Sequence, residues 1–200
     1  GKVRITVETD KKADWGFDIH LRVPGWAQGR PVPGDLYRYA DESEVTPFVL
    51  RVNGVVQNRK ADRGFVTAWA NWAPGSKHVI ELELPMPVRR VLPHEKIEAC
   101  RGKVAFERGP IVYCLEGIDH GNRVMNIAIP DDAAFVAEHR PDLLAGVTVL
   151  KGSGVARYRD AKGGEVVRAL PITAVPYFAW ANRGVGEMAI WSCSPSSSQA

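Results

Sequence analysis

Apolar and polar residues alternate with period two through the first half of this chain. Val3, Ile5 and Val7 fall on one side, with Arg4, Thr6 and Glu8 on the other. Phe17, Ile19, Leu21 and Val23 repeat the pattern against Asp18, His20 and Arg22. Phe48, Leu50 and Val52 follow, and Ile80, Leu82 and Leu84 complete the set with Glu81 and Glu83 outward. Period two with one apolar face predicts half-buried antiparallel strands. Asn53-Gly54 supplies the positive φ angles of a tight hairpin turn. Gly64 to Trp69 adds a strand, and Trp72 to Ser76 turns the chain before the next one.

Pro85 and Pro87 end this set, because proline donates no ladder hydrogen bond. From Val104 to Glu116 the pattern becomes continuous in apolar character, interrupted by Gly109-Pro110, which predicts strands buried on both faces. Further strands are expected at 126–129, 147–150, 155–158, 166–173 and 188–191. Gly152-Ser153-Gly154 reads as a turn, since no lysine and helix follow it as in a phosphate loop. Residues 135–144 read as a short helical turn interrupted by Pro141. The interval from Gly25 to Thr46 lacks periodicity and reads as a long loop on the first unit, a kind of segment that often carries function. The fold class predicted is all-β: two consecutive antiparallel β-sandwich, jelly-roll-like domains, at 1–94 and 95–195, with a disordered tail at 196–200.

Composition adds exclusions. The chain has 200 residues, 45% hydrophobic and 24% charged, with a formal charge of +3. Arg89-Arg90 is the sole adjacent arginine pair; its plain reading is an exposed strand end or an interdomain ion pair, not a nucleic-acid patch. No apolar run approaches the roughly 20 residues of a membrane-spanning helix. Nucleic acid and membrane are therefore not expected partners. The N-terminus opens directly into a strand pattern without the design of a signal peptide, as expected of a segment cut from a longer chain.

Reactive chemistry is sparse. Cys100, Cys114 and Cys193 form no CxxC pair and lie at no ligand spacing to histidine. Cys114 sits in an apolar run and reads as a buried hydrophobe. His20, His78, His94, His120 and His139 are scattered. Ser43, Ser76 and Ser153 lack a nucleophile-elbow context. Glu81 and Glu83 share one strand face and, with Glu107, are the carboxylates available for acid–base hydrolysis; the plain reading of the first two is a solvated strand face, as it is for Glu95 and Glu98. Of the six tryptophans most are expected in the cores. Trp15, Trp26 and Trp72 flank strands and turns and are the candidates for stacking on sugar rings.

Several phrases occur in a set order: Leu21-Arg22-Val23-Pro24-Gly25-Trp26-Ala27, Val52-Asn53-Gly54, Leu82 to Val91 (LELPMPVRRV), Gly102 to Glu116 (GKVAFERGPIVYCLE) and Tyr177 to Gly184 (YFAWANRG). Together they resemble the C-terminal region of glycoside hydrolase family 127, the family of bacterial β-L-arabinofuranosidases. The resemblance spans nearly the whole chain. It implies two β-sandwiches that follow a large (α/α)6 barrel. It also implies that the barrel holds the cysteine nucleophile, the glutamate acid/base and a zinc held by cysteines and a glutamate. The family's adjacent-cysteine motif is absent, so no catalytic residue, metal or cofactor is carried over to this segment. The expected role is a non-catalytic accessory region that supports the barrel, shapes the substrate entrance or mediates oligomerisation. Its expected partners are that barrel, carbohydrate and a second copy of the chain. Arg89, Arg90, Trp180, Asn182 and Arg183 are the candidates for packing between domains, Asn182 and Gly184 serving equally well in an ordinary turn. The alternatives are a free-standing carbohydrate-binding module and a small independent hydrolase.

Overall fold

Period-two segments become strands throughout the computed structural model, which describes residues 1–12, 17–41 and 45–194. In chain order the strands are β1 (Lys2–Glu8), β2 (Ile19–Arg22), β3 (Tyr37–Tyr39), β4 (Val49–Val52), β5 (Val55–Gln57), β6 (Phe65–Ala68), β7 (Lys77–Glu83) and β8 (Val88–Pro93). They continue with β9 (Lys103–Arg108), β10 (Ile111–Glu116), β11 (Ile127–Ala128), β12 (Val136–Arg140), β13 (Val147–Arg159), β14 (Glu165–Pro176), β15 (Met188–Ala189) and β16 (Ser192–Cys193). The helical pieces among the described residues are short 3₁₀ turns. Two units result. The first holds residues 1–33 and 42–86, the second 34–41 and 87–200.

The first unit pairs its strands in the order β1-β7-β4-β5, with β2–β6 as a separate ribbon. All of these pairings are antiparallel. Asn53 and Gly54 have φ of 50° and 79° and join Val52 to Val55, the hairpin that their residue types require. Leu50, Val52, Ile80 and Leu82 from the four-stranded sheet meet Leu21, Val66 and Ala68 from the ribbon in one core. The outward carboxylates pair along the sheet: Glu83 meets Arg51 at 3.1 Å and Lys2 at 3.4 Å. The Arg51 hydrogen bond and then the Lys2 charge hold Glu83 below the usual carboxylate range. Glu81 stands between Arg4 and Arg51 in the strand register. This is a solvated strand face, not an acid–base pair.

In the second unit a ten-stranded sheet runs β15-β10-β14-β13-β11-β16-β9-β8-β3, with β12 on β13, and an additional β10–β9 pairing closes the path on itself. The pairings are antiparallel except for Ala128 beside Cys193. Alternate residues of one strand enter different cores: Tyr113 and Leu115 pack with Leu150 and Ile172, whereas Cys114 packs with Val149 and Val175. That explains the apolar character of 104–116, because both faces of β9 and of β10 from Tyr113 onward are covered.

Four expectations are corrected. Gly34–Asp41 is not loop on the first unit; it joins the second unit, with Tyr39 fully buried on β3 beside Val91 of β8. Residues 136–140 form an edge strand on β13, not a helical turn, because every one of them has a partner from Val147 to Lys151. Gly152-Ser153-Gly154 is no turn, since β13 runs through it paired with Leu170–Ile172. A Cβ on Gly152 would lie 2.7 Å from the Phe135 ring, and one on Gly154 3.0 Å from Ile172. These glycines permit close layer packing, a use that looks like a turn in sequence. The β8 strand, placed by sequence in the first domain, pairs with β9 and lies in the second unit.

Candidate functional site

The most developed polar constellation lies at the end of β10. Glu116 closes that strand, and a 3₁₀ turn at Gly117–Asp119 follows it. After β14, a second 3₁₀ turn at Tyr177–Ala179 leads into Trp180-Ala181-Asn182-Arg183-Gly184. Ala181 has φ of 65° and Gly184 112°, so the loop reverses twice and brings Arg183 back onto Glu116. The Asn182 amide donates to the carbonyls of Ala179 at 3.1 Å and Trp180 at 3.3 Å, which fixes the first reversal.

Arg183 is clamped from two sides. Its Nε donates to Glu116 Oε2 at 3.1 Å and its Nη2 to the same oxygen at 2.5 Å. Nη1 and Nη2 reach Asp119 Oδ1 and Oδ2 at 2.9 and 2.6 Å. The second Glu116 oxygen accepts the Ala181 N–H at 3.1 Å. Side-chain exposure is 6% for Glu116, 15% for Arg183 and 20% for Asp119, so the network is largely desolvated. The Asp119 and Glu116 bonds outweigh burial and hold the guanidinium well above its ordinary pKa. His120 supports the strand end: its Nδ1 donates to the Glu116 carbonyl at 2.7 Å, while Nε2 accepts the Thr173 N–H at 3.2 Å, the arrangement of a neutral ring.

Beside this clamp lies a recess of about 410 Å³ lined by Glu116, Ile118, Asn122, Trp180, Arg183 and Glu187. The same loop leaves Phe178 71%, Tyr177 43% and Trp180 41% exposed, with Ile118 and Val185 also in water. Tyr177 and Trp180 stack with their planes 8° apart and their centroids 5.9 Å apart. Chemically the carboxylates are committed to the guanidinium and to backbone N–H groups. The arrangement is suited to holding an aromatic surface in one position rather than to moving protons.

Sequence reasoning singled out Trp180, Asn182 and Arg183, and the structure brings them together. It missed Glu116 and Asp119, which lie 67 and 64 residues from Arg183 and share no spacing signal with it. Arg89 and Arg90 lie elsewhere in the second unit. Neither is an exposed strand end: Arg89 is buried, 4.5 Å from the Tyr39 ring centroid and opposite Glu107 in register. Glu107 accepts the Tyr39 hydroxyl, and burial raises its pKa against the pull of that bond and of Arg89. Arg90 donates to the carbonyls of Pro130 and, at 2.9 Å, Ala133. Of the sugar-stacking candidates, Trp26 and Trp72 are half-buried against the first core, Trp72 stacked on Phe17 at 5.2 Å. Trp15 lies outside the described residues. Among the described residues of the first unit, the exposed aromatic ones are instead Phe65 and Trp69.

Comparison with known proteins places both units. The profile of the glycoside hydrolase family 127 C-terminal domain matches residues 88–193, and that of the β-L-arabinofuranosidase GH127 middle domain matches residues 1–86. A non-reducing end β-L-arabinofuranosidase of Bifidobacterium longum subsp. longum is 31% identical over 96% of this chain. A solved GH127 β-arabinofuranosidase superposes with a TM-score of 0.86 at 33% identity, covering 98% of this chain and 30% of its own. A GH127 β-L-arabinofuranosidase from Geobacillus stearothermophilus T6 gives 0.76 at 31% identity, covering 97% of this chain and 28% of its own. The chain spans 28% of the length of the Bifidobacterium relative, so the likeness concerns one part of a larger protein. Two adjoining domain profiles in their proper order, and the same backbone in solved relatives, establish that this chain belongs to glycoside hydrolase family 127.

Proposed function

We propose that this chain is the non-catalytic β-sandwich region of a β-L-arabinofuranosidase-like glycoside hydrolase, and that it supports a catalytic barrel. The observation that carries this reading is the clamped loop of the second unit. It holds Tyr177, Phe178 and Trp180 in water on a backbone fixed by a desolvated ion-pair network. Exposed aromatic residues on a rigid support suit a permanent apolar partner. The enzymes matched are more than three times as long as this chain, which leaves room for a domain to cover that surface. Packing of the barrel there, or at the substrate entrance, is the role assigned to the loop.

In this reading the nucleophile, the acid/base and the zinc chemistry reside on the barrel. Among the described residues no three histidine, cysteine, aspartate or glutamate side chains group as metal ligands. Cys114 is buried, and burial followed by the Glu116 charge pushes its thiol up to about 12, far from a nucleophile's range. The test is hydrolysis of an aryl β-L-arabinofuranoside. The chain alone is expected to release no product, and the chain joined to the barrel of the Bifidobacterium relative is expected to do so. In the joined protein, Phe178→Ser with Trp180→Ser should lower thermal stability more than in the chain alone. Turnover by the isolated chain overturns the proposal, as does an equal effect of the two substitutions in both forms.

A further inference from the structure

A second surface, on the first unit, has no part in that reading. β2 and β6 pair with His20 opposite Thr67 and Arg22 opposite Phe65. Leu21, Val66 and Ala68 point into the core, so the intervening residues form the outward face. It carries His20 and Arg22 along one strand and Phe65 and Thr67 along the other, with Asp18 and Trp69 continuing the alternation at the strand ends. Phe65 is 42% exposed and Trp69 61%. Trp69 thus stands in water, and Phe65 is partly exposed with the Arg22 guanidinium 5.9 Å from its ring centroid; polar groups separate the two rings, which do not merge into one apolar patch.

The face is built to stay in place. Asp62 and Phe65 exchange both backbone hydrogen bonds, at 2.8 and 2.9 Å, across Arg63 and Gly64, whose φ angles are 46° and 84°. This is a two-residue turn with the twist that matches its strands. It sets Asp62 and Arg63 beside Phe65, and together with His20 and Thr67 they line a recess of about 500 Å³. At the other end the Gln57 side chain grips the Trp69 backbone, accepting its N–H at 2.9 Å and donating to its carbonyl. His20 Nδ1 lies 3.0 Å from Thr67 Oγ1, which orients the imidazole at the edge of the recess.

We infer that this face is a binding site for a neutral oligosaccharide, whose rings stack on Phe65 and Trp69 while His20 and Thr67 hydrogen-bond hydroxyl groups between them. A sugar ring has an apolar C–H face and a rim of hydroxyls, so it needs an aromatic plane and nearby groups that both donate and accept. Phe65 and Trp69 are four residues apart on an extended strand, about 13 Å, roughly the reach of two to three linked rings. The charges at the margins are of both signs, Asp18 and Asp62 against Arg22 and Arg63. Such a rim favours neither an acidic nor a basic ligand and supplies bidentate partners for vicinal hydroxyls. The inference goes beyond the accessory role and stands without it, since nothing on the face depends on a catalytic partner.

The test is titration calorimetry of the whole chain with arabino-, xylo-, cello- and mannotriose, each at up to about 10 mM. At least one trisaccharide should bind saturably with Kd on the order of 1 mM, and its disaccharide more weakly. Trp69→Ala and Phe65→Ala should each weaken binding about tenfold, and His20→Ala about threefold, with circular dichroism unchanged. All three side chains point away from the core, so the variants fold. Silence from every sugar overturns the inference, and so does binding that survives both aromatic substitutions. If Trp69→Ala and Phe65→Ala leave sugar binding intact but destabilise only the barrel-joined protein, the face is a docking surface and the inference fails. Because the accessory proposal is judged by turnover and this one by ligand heat, either can fail alone.

Discussion

Arg183→Met removes the cation from the clamp while keeping most of its apolar stem. Glu116, with a side chain 6% exposed, would then be left with the Ala181 N–H as its remaining bond in the network. Removing one partner of a buried pair costs about 3–5 kcal/mol, because the other charge stays desolvated. Asp119 is 20% exposed and can turn toward water, so the low end, about 3 kcal/mol, is expected. With a urea slope of about 1–3 kcal/mol per molar, the midpoint falls by about 1–3 M. Glu116→Gln should cost less, about 1–2 kcal/mol, because Arg183 keeps both Asp119 oxygens. The double variant should be milder than the sum by about 1–2 kcal/mol, since the stranded carboxylate is gone.

The chain has two units, so one global transition does not report on the clamp alone. Amide exchange of Tyr113, Cys114 and Leu115 on β10 reads the second unit directly. Exchange of Ile80 and Leu82, in the first core, serves as the internal control. The reasoning is refuted if Arg183→Met leaves β10 protection within about 0.5 kcal/mol of the parent, or if the double variant equals the sum.

Two further outcomes follow from packing and burial. Gly152→Ala places a Cβ against the Phe135 ring, which is itself packed on Phe106 at a centroid distance of 4.3 Å; a cost of about 1–3 kcal/mol is expected in urea unfolding, partly relieved by Phe135→Leu, and a neutral Gly152→Ala would refute the close approach. In native protein at pH 8, iodoacetamide followed by peptide mass mapping should label exposed Cys193 and half-exposed Cys100 but not Cys114, because a thiol pushed up to about 12 is only about one ten-thousandth thiolate there; labelling of Cys114 as fast as Cys193 would overturn its burial.

What was legible in the sequence follows the physics of each feature. Alternation is a local consequence of one covered face, so β1, β2, β4 and β7 were readable from side-chain order alone. The run of 104–116 was readable too, since two covered faces leave few polar positions, Glu107 and Glu116 among them buried. Glycine was ambiguous: at 54 it serves a positive φ, at 152 and 154 a close contact with residues 17 to 18 positions away, and sequence does not separate the two. β3 was missed because three residues, Tyr37-Arg38-Tyr39, carry too little pattern, although Tyr39 is 1% exposed. The clamp was half legible for a related reason. Asn182 and Gly184 betray a turn through their residue types, whereas the carboxylates that make Arg183 a clamp belong to a strand end far back in the chain.

The same distinction separates the two surfaces proposed to bind partners. The second unit's loop owes its position to a long-range network, so its aromatic residues keep their place only while Glu116, Asp119 and Arg183 are all present. The first unit's ribbon owes its position to the 62–65 hairpin, Gln57 and the pairing of β6 with β2, contacts made within the first unit. Weakening the clamp should therefore release Phe178 and Trp180 without moving Phe65 and Trp69. Arg183→Met should reduce association with a catalytic barrel while leaving sugar binding at the ribbon unchanged. A joint loss of both would mean that the two surfaces are one, and would require a coupling that neither unit's own contacts supply.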